Sequence, residues 1–375
     1  MSKREILEGI ARGAPLVGPA TVHIDVTNAC NAACITCWDH SPLLREPRAP
    51  SWKKQRLELG GFRDIVEQLA ALGSVRSVIL SGMGDPLVHP DIYDMIALVK
   101  DEGWTLTMLS NLIAADIDRL AAAGVDQLLV GVHGATPRTY AAFHPGWGHR
   151  EFATMCRYLR VLAATDTRCR HVQVINRDTA EELLAMVQFG HRFAADRVNF
   201  KLASLYGGTE DCGITAAQRD RLLAEDIARA RELAAELGVR TNLDLFETQV
   251  QAAHEHLRTT TPIDQVGCFM GYVYTRITVE RDVLYCCNTA VRVGSLAESS
   301  FATLWFGDAW QALRGQLRDG RYLRGCDKCG KFEQNVTWSQ RFREFAGEDR
   351  WREAIGLAAG RPIVPRGTES LRVLK

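Results

Sequence analysis

The chain has no excess of either charge. Its 375 residues carry 45 Lys or Arg and 45 Asp or Glu, a formal net charge of zero. General nucleic-acid binding needs a basic footprint that this balance does not supply. No run of 18 apolar residues occurs, so no helix is expected to cross a membrane. The first 18 residues hold Lys3, Arg4 and Glu5 but no apolar stretch of secretory-signal length. Internal repeats and low-complexity tracts are missing too. With 46% hydrophobic residues, what is left is an ordinary folded protein of one large or two smaller domains, expected in the cytoplasm. Cysteine breaks the pattern: there are eleven. In a reducing compartment that number favours metal or redox chemistry over disulfides.

Three of the cysteines stand together in Cys30-Asn31-Ala32-Ala33-Cys34-Ile35-Thr36-Cys37, directly after the strand-like Thr21-Val22-His23-Ile24-Asp25-Val26-Thr27. Three thiolates this close can wrap a cubane iron–sulfur cluster but leave one iron without a protein ligand. Proteins whose clusters only carry electrons usually supply four cysteines. A zinc site would favour paired C-x2-C knuckles with four N or S ligands. Cysteines that merely pack as small hydrophobes would not cluster beside Asn and Thr.

From residue 21 to about 245, short β-rich runs alternate with longer amphipathic ones. The strand candidates are 21–27, 75–81, 104–110, 125–132, 170–176 and 197–203. Phe62, Ile65, Val66, Leu69 and Leu72 recur at helical spacing. Thr215-x-x-Gln218 reads as a capping box opening a helix that carries Leu222, Leu223, Ile227, Leu233 and Leu237, with Gly238 at its end. Six successive β/α units imply an α/β protein with a parallel sheet, since parallel neighbours need crossover connections. Right-handed crossovers would curl the strands into an open, partial (β/α)6 barrel whose chemistry sits at the C-terminal strand ends, where Cys30 falls. The stretch His40 to Arg56 is irregular and basic, with Pro42, Pro47 and Pro50 and with Arg45, Arg48, Lys53, Lys54 and Arg56. It reads either as a solvated loop or as a cover over the cysteines that binds an anionic substrate group.

The C-x3-C-x2-C run after a first strand resembles the radical S-adenosylmethionine (radical SAM) enzymes. The resemblance implies that the open iron of a [4Fe–4S] cluster chelates the amino and carboxylate groups of S-adenosylmethionine. Other strand ends share the pattern. Ser81-Gly82-Met83-Gly84-Asp85-Pro86 is similar to the family's Gly-Gly-Glu-Pro, with Met83 inserted or substituted and Asp85 in place of Glu. Gly82 and Gly84 would permit close backbone approach, and Asp85 would accept from the methionine ammonium. Ser110-Asn111 resembles Thr-Asn-Gly, with Leu112 in place of Gly. In Val130-Gly131-Val132-His133-Gly134-Ala135-Thr136 and His144-Pro145-Gly146, His133 and His144 stand where relatives often have Asp and Arg. Val172 to Asn176 resembles the strand that borders the adenine. Thr36 holds the position before Cys37 that is often aromatic, and Trp38 follows.

A second set, Cys268, Cys286 and the C-x2-C of Cys326 and Cys329, resembles the SPASM/twitch domains that add auxiliary [4Fe–4S] clusters to radical SAM barrels. Gly294-Ser295-Leu296 and Phe301-Ala302-Thr303-Leu304-Trp305 are similar to the linking region of those domains. Four cysteines fill one cubane, and none follows Cys329, so one auxiliary cluster is expected rather than two. Cys287 is an alternative to Cys286. Cys286 is preferred because Arg281 to Tyr285 is similar to the hairpin that leads into the family's cysteine. Four cysteines also suit zinc. The domain reading is an extension over 1–20, a barrel over 21–245, an auxiliary-cluster domain over 246–340 and a tail over 341–375, helical at Trp351 to Leu357 and then irregular.

The family's chemistry is reductive cleavage of S-adenosylmethionine to a 5′-deoxyadenosyl radical that removes a substrate hydrogen atom, fed by a flavodoxin- or ferredoxin-type reductant. Among the remaining cysteines, Cys156 and Cys169 read as packing residues. Cys212, in the loop after the sixth strand, is either incidental or a thiol that returns a hydrogen atom to the substrate. The first functional expectation is dehydrogenation or epimerisation of a small polar metabolite such as an aminocyclitol, sugar or nucleoside. The second is installation of a thioether, crosslink or epimer in a ribosomal peptide. Only 29 residues precede Cys30, too few for a peptide-binding module, which lowers the second expectation. Sulfur donation by the auxiliary cluster and a non-enzymatic iron–sulfur or zinc protein complete the set.

Overall fold

The computed structural model describes residues 3–253 and 261–357. They divide into two compact units. One takes in Ile24–Leu59 and the described part of Val78–His256; the other takes in the remaining described residues.

The first unit is built on the end of β1 (Thr21–Asp25) from Ile24, on β2 (Ser77–Ser81) from Val78, and on β3 (Thr105–Ser110), β4 (Gln127–Gly131), β5 (Arg168–Ile175) and β6 (Arg197–Leu202). The strands lie in the order β6-β5-β4-β3-β2-β1, and β3 to β6 pair in parallel. The order follows the chain without a skip, as right-handed crossovers require, and the six do not close on themselves. The α/β partial barrel expected from the alternation is therefore the fold. Helices Ile92–Asp101, Ile117–Ala122, His149–Leu162 and Leu183–Arg192 fill the crossovers. Period-two burial along β5 places Cys169, His171, Gln173 and Ile175 inside. Ile175 joins Val198, Phe200, Leu183, Met186 and Val187 in a core of side chains at most 1% exposed. Each such burial stabilises by about 1.5–3 kcal/mol.

The capping box at Thr215 is present, with its hydroxyl accepting from Gln218 N–H at 3.2 Å. The helix it opens passes through a π turn at Leu222–Asp226 before Ile227–Glu236. Gly238 ends it at φ +67°, a conformation glycine adopts without strain. The stretch after His40 stays irregular apart from one 3-10 turn at Trp52–Lys54.

The second unit holds a three-stranded antiparallel meander, β7 (Tyr274–Ile277), β8 (Asp282–Leu284) and β9 (Arg292–Ser295). From Gly60 on, helix Leu59–Ala71 belongs to this unit and buries Phe62, Ile65, Val66 and Leu69 of the stripe its spacing predicts, ending before Leu72. Arg314 is buried among Trp305, Trp310 and Tyr272, and its guanidinium donates to the carbonyls of Gly271 at 2.8 Å and Trp305 at 3.0 Å. Among the described residues no helix is long and apolar enough to cross a membrane.

Candidate functional site

The site begins where β1 ends. Val26 N–H donates to Ser81 O at 3.0 Å, Gly84 N–H to Thr27 O at 3.2 Å and Asp85 N–H to Ala29 O at 2.9 Å. A Cβ on Gly82 would overlap the Thr27 carbonyl, and one on Gly84 the Ala29 carbonyl. The two glycines thus let the loop after β2 lie directly on the backbone that leads into Cys30. Asp85 is 4% exposed and holds the next loop. Its carboxylate accepts from the Ser110 hydroxyl at 2.9 Å, Asn111 N–H at 2.7 Å and Leu87 N–H at 2.9 Å. Burial pushes the carboxyl upward, and these donors oppose the shift. Asn111 Nδ2 then reaches back to Asn31 Oδ1 at 2.8 Å, inside the cysteine loop. Leu112 sits at φ +69°, the glycine-like conformation that Thr-Asn-Gly would adopt freely. Its fully buried side chain offsets the backbone strain.

Cys30, Cys34 and Cys37 are half-buried in this frame. Burial, then the Asp85 charge, pushes the Cys30 thiol up to about 12. Cys34 is raised by burial and by Cys37 and Cys30, and Cys37 chiefly by burial. Backbone N–H groups aim at the sulfurs: Ala32 at Cys30 (3.4 Å) and His40 at Cys37 (3.3 Å). A cavity of about 420 Å³ opens beside them, lined by Cys30, Asn31, His40, Lys53, Pro145 and Trp147. His40 was not singled out by sequence. It is 8% exposed, its backbone N–H is the one aimed at Cys37, and its Nε2 is buried without a hydrogen-bond partner among the described residues. Its only sequence signal was membership of the basic stretch.

The other candidates fall around this frame. Met83 and Thr36 are half-buried. Trp38 is 46% exposed, and its Nε1 donates to Ser204 O at 2.6 Å. His133 accepts at Nδ1 from Val174 N–H at 3.2 Å, and its ring lies 4.4 Å from that of Phe143. Burial, then the charges of His144 and Lys201, hold it well below the usual histidine range. His144 is fully buried and donates from Nδ1 to Tyr140 O at 2.8 Å; burial holds it down at about 4. Its Nε2 has no partner among the described residues. Asn176 accepts from Asp178 N–H at 3.0 Å and Thr179 N–H at 3.1 Å, which leaves its buried Nδ2 unpaired. Cys212 is 7% exposed and packs with Ile35 and Phe143, with Cys34 alongside.

The second cysteine set lies wholly in the other unit. Cys268 is raised by burial and by the neighbouring Cys326, Cys329 and Cys287. Cys326 is pushed up to about 12 by burial, with Cys329 and Cys287 adding to it. Cys286 is raised by its hydrogen bond with the Cys287 thiol and by burial, and it feels Cys268 as well. All five thiols therefore share one neighbourhood. Asn288 N–H points at Cys286 Sγ at 3.4 Å, and Asn335 spans the set. Its Oδ1 accepts from Phe269 N–H at 2.8 Å, and its Nδ2 approaches Cys329 Sγ at 3.7 Å. Sequence did not point to Asn335, because nothing in a helix pattern marks one polar residue as facing a cysteine.

Both sets suit iron–sulfur clusters. Thiols raised this far stay protonated unless a cation displaces the proton, which a cluster does on binding. Among the described residues no three His, Cys, Asp or Glu side chains converge on a point for a single ion.

The radical SAM superfamily model matches residues 24–190, and the SPASM model, an iron–sulfur cluster-binding domain, matches residues 268–330. The AdoMet-dependent heme synthase of Methanosarcina barkeri is 24% identical over 357 residues, covering 92% of this chain and 97% of that one. The PqqA peptide cyclase of Xanthomonas oryzae pv. oryzae is 26% identical over 329 residues, covering 83% and 80%. Streptococcus suis SuiB bound to the precursor peptide SuiA has the same fold, with a TM-score of 0.56 at 16% identity over 83% of this chain and 70% of that one. The two cysteine frames and the two matched families agree: the chain is a radical SAM enzyme with a C-terminal SPASM-type iron–sulfur domain, and its cofactors are a [4Fe–4S] cluster, S-adenosylmethionine and auxiliary iron–sulfur.

Proposed function

We propose that this enzyme modifies a peptide by hydrogen abstraction, rather than the small polar metabolite that sequence first suggested. The observation that carries the reading is the surface beside the cysteine loop. Trp38, Leu43 and Tyr206 are 46%, 45% and 49% exposed on loops after β1 and β6. A pocket for a small polar metabolite would be expected to enclose its ligand with polar groups; large exposed apolar side chains suit a chain that lies across the surface. The relatives named as a PqqA peptide cyclase and as SuiB bound to its precursor peptide are consistent with it.

In this reading Cys30, Cys34 and Cys37 hold the first cluster and leave one iron for S-adenosylmethionine. Cys268, Cys286, Cys326 and Cys329 hold a single auxiliary cluster, with Cys287 beside it. When bound, these groups supply a 5′-deoxyadenosyl radical at the first site and an electron acceptor at the second, with a flavodoxin- or ferredoxin-type protein as reductant. The chain's own part is position. Asp85, Ser110 and Asn111 lock the loops after β2 and β3 onto the cysteine loop. Gly82, Met83 and Gly84 present backbone to the cofactor's methionine end. Thr36, His133, His144 and Asn176 would hold the remainder, with both histidines neutral at pH 7 because burial depresses them.

The test is 5′-deoxyadenosine formation by the reconstituted enzyme. It is run with peptides encoded in short reading frames beside the gene, and separately with an aminocyclitol, a sugar and a nucleoside. Stimulation by a peptide, with loss of two hydrogens or inversion of one residue, is expected. Stimulation by the metabolites alone would return the reading to the small-molecule class.

A further inference from the structure

We infer that the loops after β1 and β6 form a shelf that grips the substrate peptide by one large apolar side chain flanked by a carboxylate. This inference rests on the peptide reading above and adds to it what the peptide must contain.

The shelf is a built surface. Trp38 and Tyr206 meet edge to face, with ring centroids 5.4 Å apart. The Trp38 indole N–H donates to Ser204 O at 2.6 Å, and Arg45 N–H donates to Gly207 O at 2.8 Å. Arg45 also pairs with Glu210 at 3.2 Å, and the same carboxylate accepts from Gly208 N–H at 2.8 Å. Gly208 stands at φ +119°, where a Cβ would strike the Leu43 carbonyl. Only glycine lets the two loops close on each other there. The bonds run between the ends of β1 and β6, the first and last strands of the series, and hold Trp38, Leu43 and Tyr206 open to solvent. An edge-to-face aromatic pair fixed by backbone bonds is a low-entropy platform for an incoming apolar side chain.

Charge selects what flanks that side chain. Between Asp39 and Arg56 there are five cations against Asp39 and Glu46. Arg48 is taken by Asp39 at 2.8 Å, Arg45 by Glu210, and Arg56 by Glu58 at 3.4 Å. Lys53 and Lys54 have no carboxylate partner among the described residues. The Lys53 charge reaches Cys37 and His40, and Lys53 lines the cavity beside Cys30. Trp38 follows Cys37 in the chain. The apolar shelf and the Lys53 ammonium thus flank the same cysteine, and a peptide on the shelf with Asp or Glu next to its anchor would meet Lys53 across the cluster mouth, with Lys54 next to it in the chain. The basic stretch is in this way both a loop and a ligand-facing cover, the two readings its sequence left open.

A library of random dodecapeptides displayed on phage is panned on the reconstituted holoenzyme with S-adenosylmethionine, and the enriched peptides are labelled with fluorescein for anisotropy. Enriched sequences should place a Trp, Tyr, Phe or Leu beside Asp or Glu. Tyr206→Ala and Leu43→Ser should each weaken binding about tenfold. Tyr206→Phe should retain it, since the ring remains. Lys53→Gln with Lys54→Gln should weaken binding severalfold and flatten its salt dependence. Iron per chain certifies that each variant is folded, and Tyr206→Phe and the lysine pair stand if Tyr206→Ala is not. Peptides bound with unchanged affinity by the folded variants would overturn the shelf and leave the peptide reading standing. No enrichment by the wild-type enzyme would overturn both.

Discussion

The two cysteine sites of this chain are assembled in opposite ways. Cys30, Cys34 and Cys37 come from one short loop and are held by backbone: the glycines after β2, the carbonyls of Thr27 and Ala29, and the N–H groups of Ala32 and His40. Cys268, Cys286, Cys326 and Cys329 come from separated segments and are drawn together by side-chain amides and a meander of three short strands. Closing longer loops costs more chain entropy, about 0.6 kcal/mol for each doubling of length. A site of the first kind is nearly complete before a metal arrives. A site of the second kind draws on metal binding to complete its own fold. Three cysteines can leave an iron position open for chemistry, whereas four can fill a cubane.

Removing each set should break the comparison most sharply. With Cys30, Cys34 and Cys37 all changed to Ala, reductive cleavage of S-adenosylmethionine should vanish and iron should fall from about eight to about four per chain. The thermal transition should shift only slightly. Cys326→Ala with Cys329→Ala should also remove about four irons, but with a large drop in melting temperature and loss of modified product. Equal effects of the two variants on melting would contradict the contrast. About four irons with one zinc in the wild type would remove the electron acceptor from the second site.

Within the second set, Cys286 and Cys287 can be told apart. An N–H aimed at sulfur marks two ligands of the first set, and Asn288 gives the same bond to Cys286. Cys286→Ser should therefore lose the auxiliary irons, and Cys287→Ser should keep them. The reverse result would move the ligand by one residue. Asn335→Ala should weaken auxiliary-cluster retention about 10- to 100-fold, the usual effect of removing a group that orients a ligand. A chelator competition at equal iron loading reads it. Cys212→Ala sharpens a different point. Its packing against Ile35 and Phe143 gives the thiol little access, so product should form without it. Product that loses solvent deuterium in this variant would instead make Cys212 the hydrogen donor.

The first site was legible because its information is local. Spacing alone placed the triad, and the alternation put it at a strand end; β1 to β6 fall inside or within two residues of the expected runs. Gly82, Gly84 and Asp85 were legible by their types. What each does was not: the glycines meet the backbone of Thr27 and Ala29 at the end of the neighbouring strand β1, and Asp85 gives its oxygens to Ser110, Asn111 and Leu87. Leu112 hid a glycine conformation behind a large side chain. Asn335, His40 and the pairing of Arg45 with Gly207 were missed for one reason. Each acts through a tertiary contact between segments that share no period, and periodicity was the only long-range signal available.

Acid should separate the two units as well, by a smaller amount. Among the described residues the buried histidines His40, His89, His144 and His171 belong to the barrel unit, and His23 to the other. His171 is the cleanest of them. Both ring nitrogens are buried without a partner among the described residues, and burial holds it at about 4. In the unfolded chain it returns to the ordinary value near 6.5. Below that value the unfolded state takes up a proton that the folded state refuses. Stability therefore falls as pH drops from about 6.5 towards about 4, by about 1.4 kcal/mol per pH unit for such a group. His171→Leu removes the proton uptake and two unsatisfied nitrogens together. Urea unfolding should show the variant at least as stable as wild type at pH 7, with a shallower loss by pH 5.5. An unchanged slope would mean that His171 finds a partner or a water in solution, and that the acid sensitivity of the barrel lies with His144.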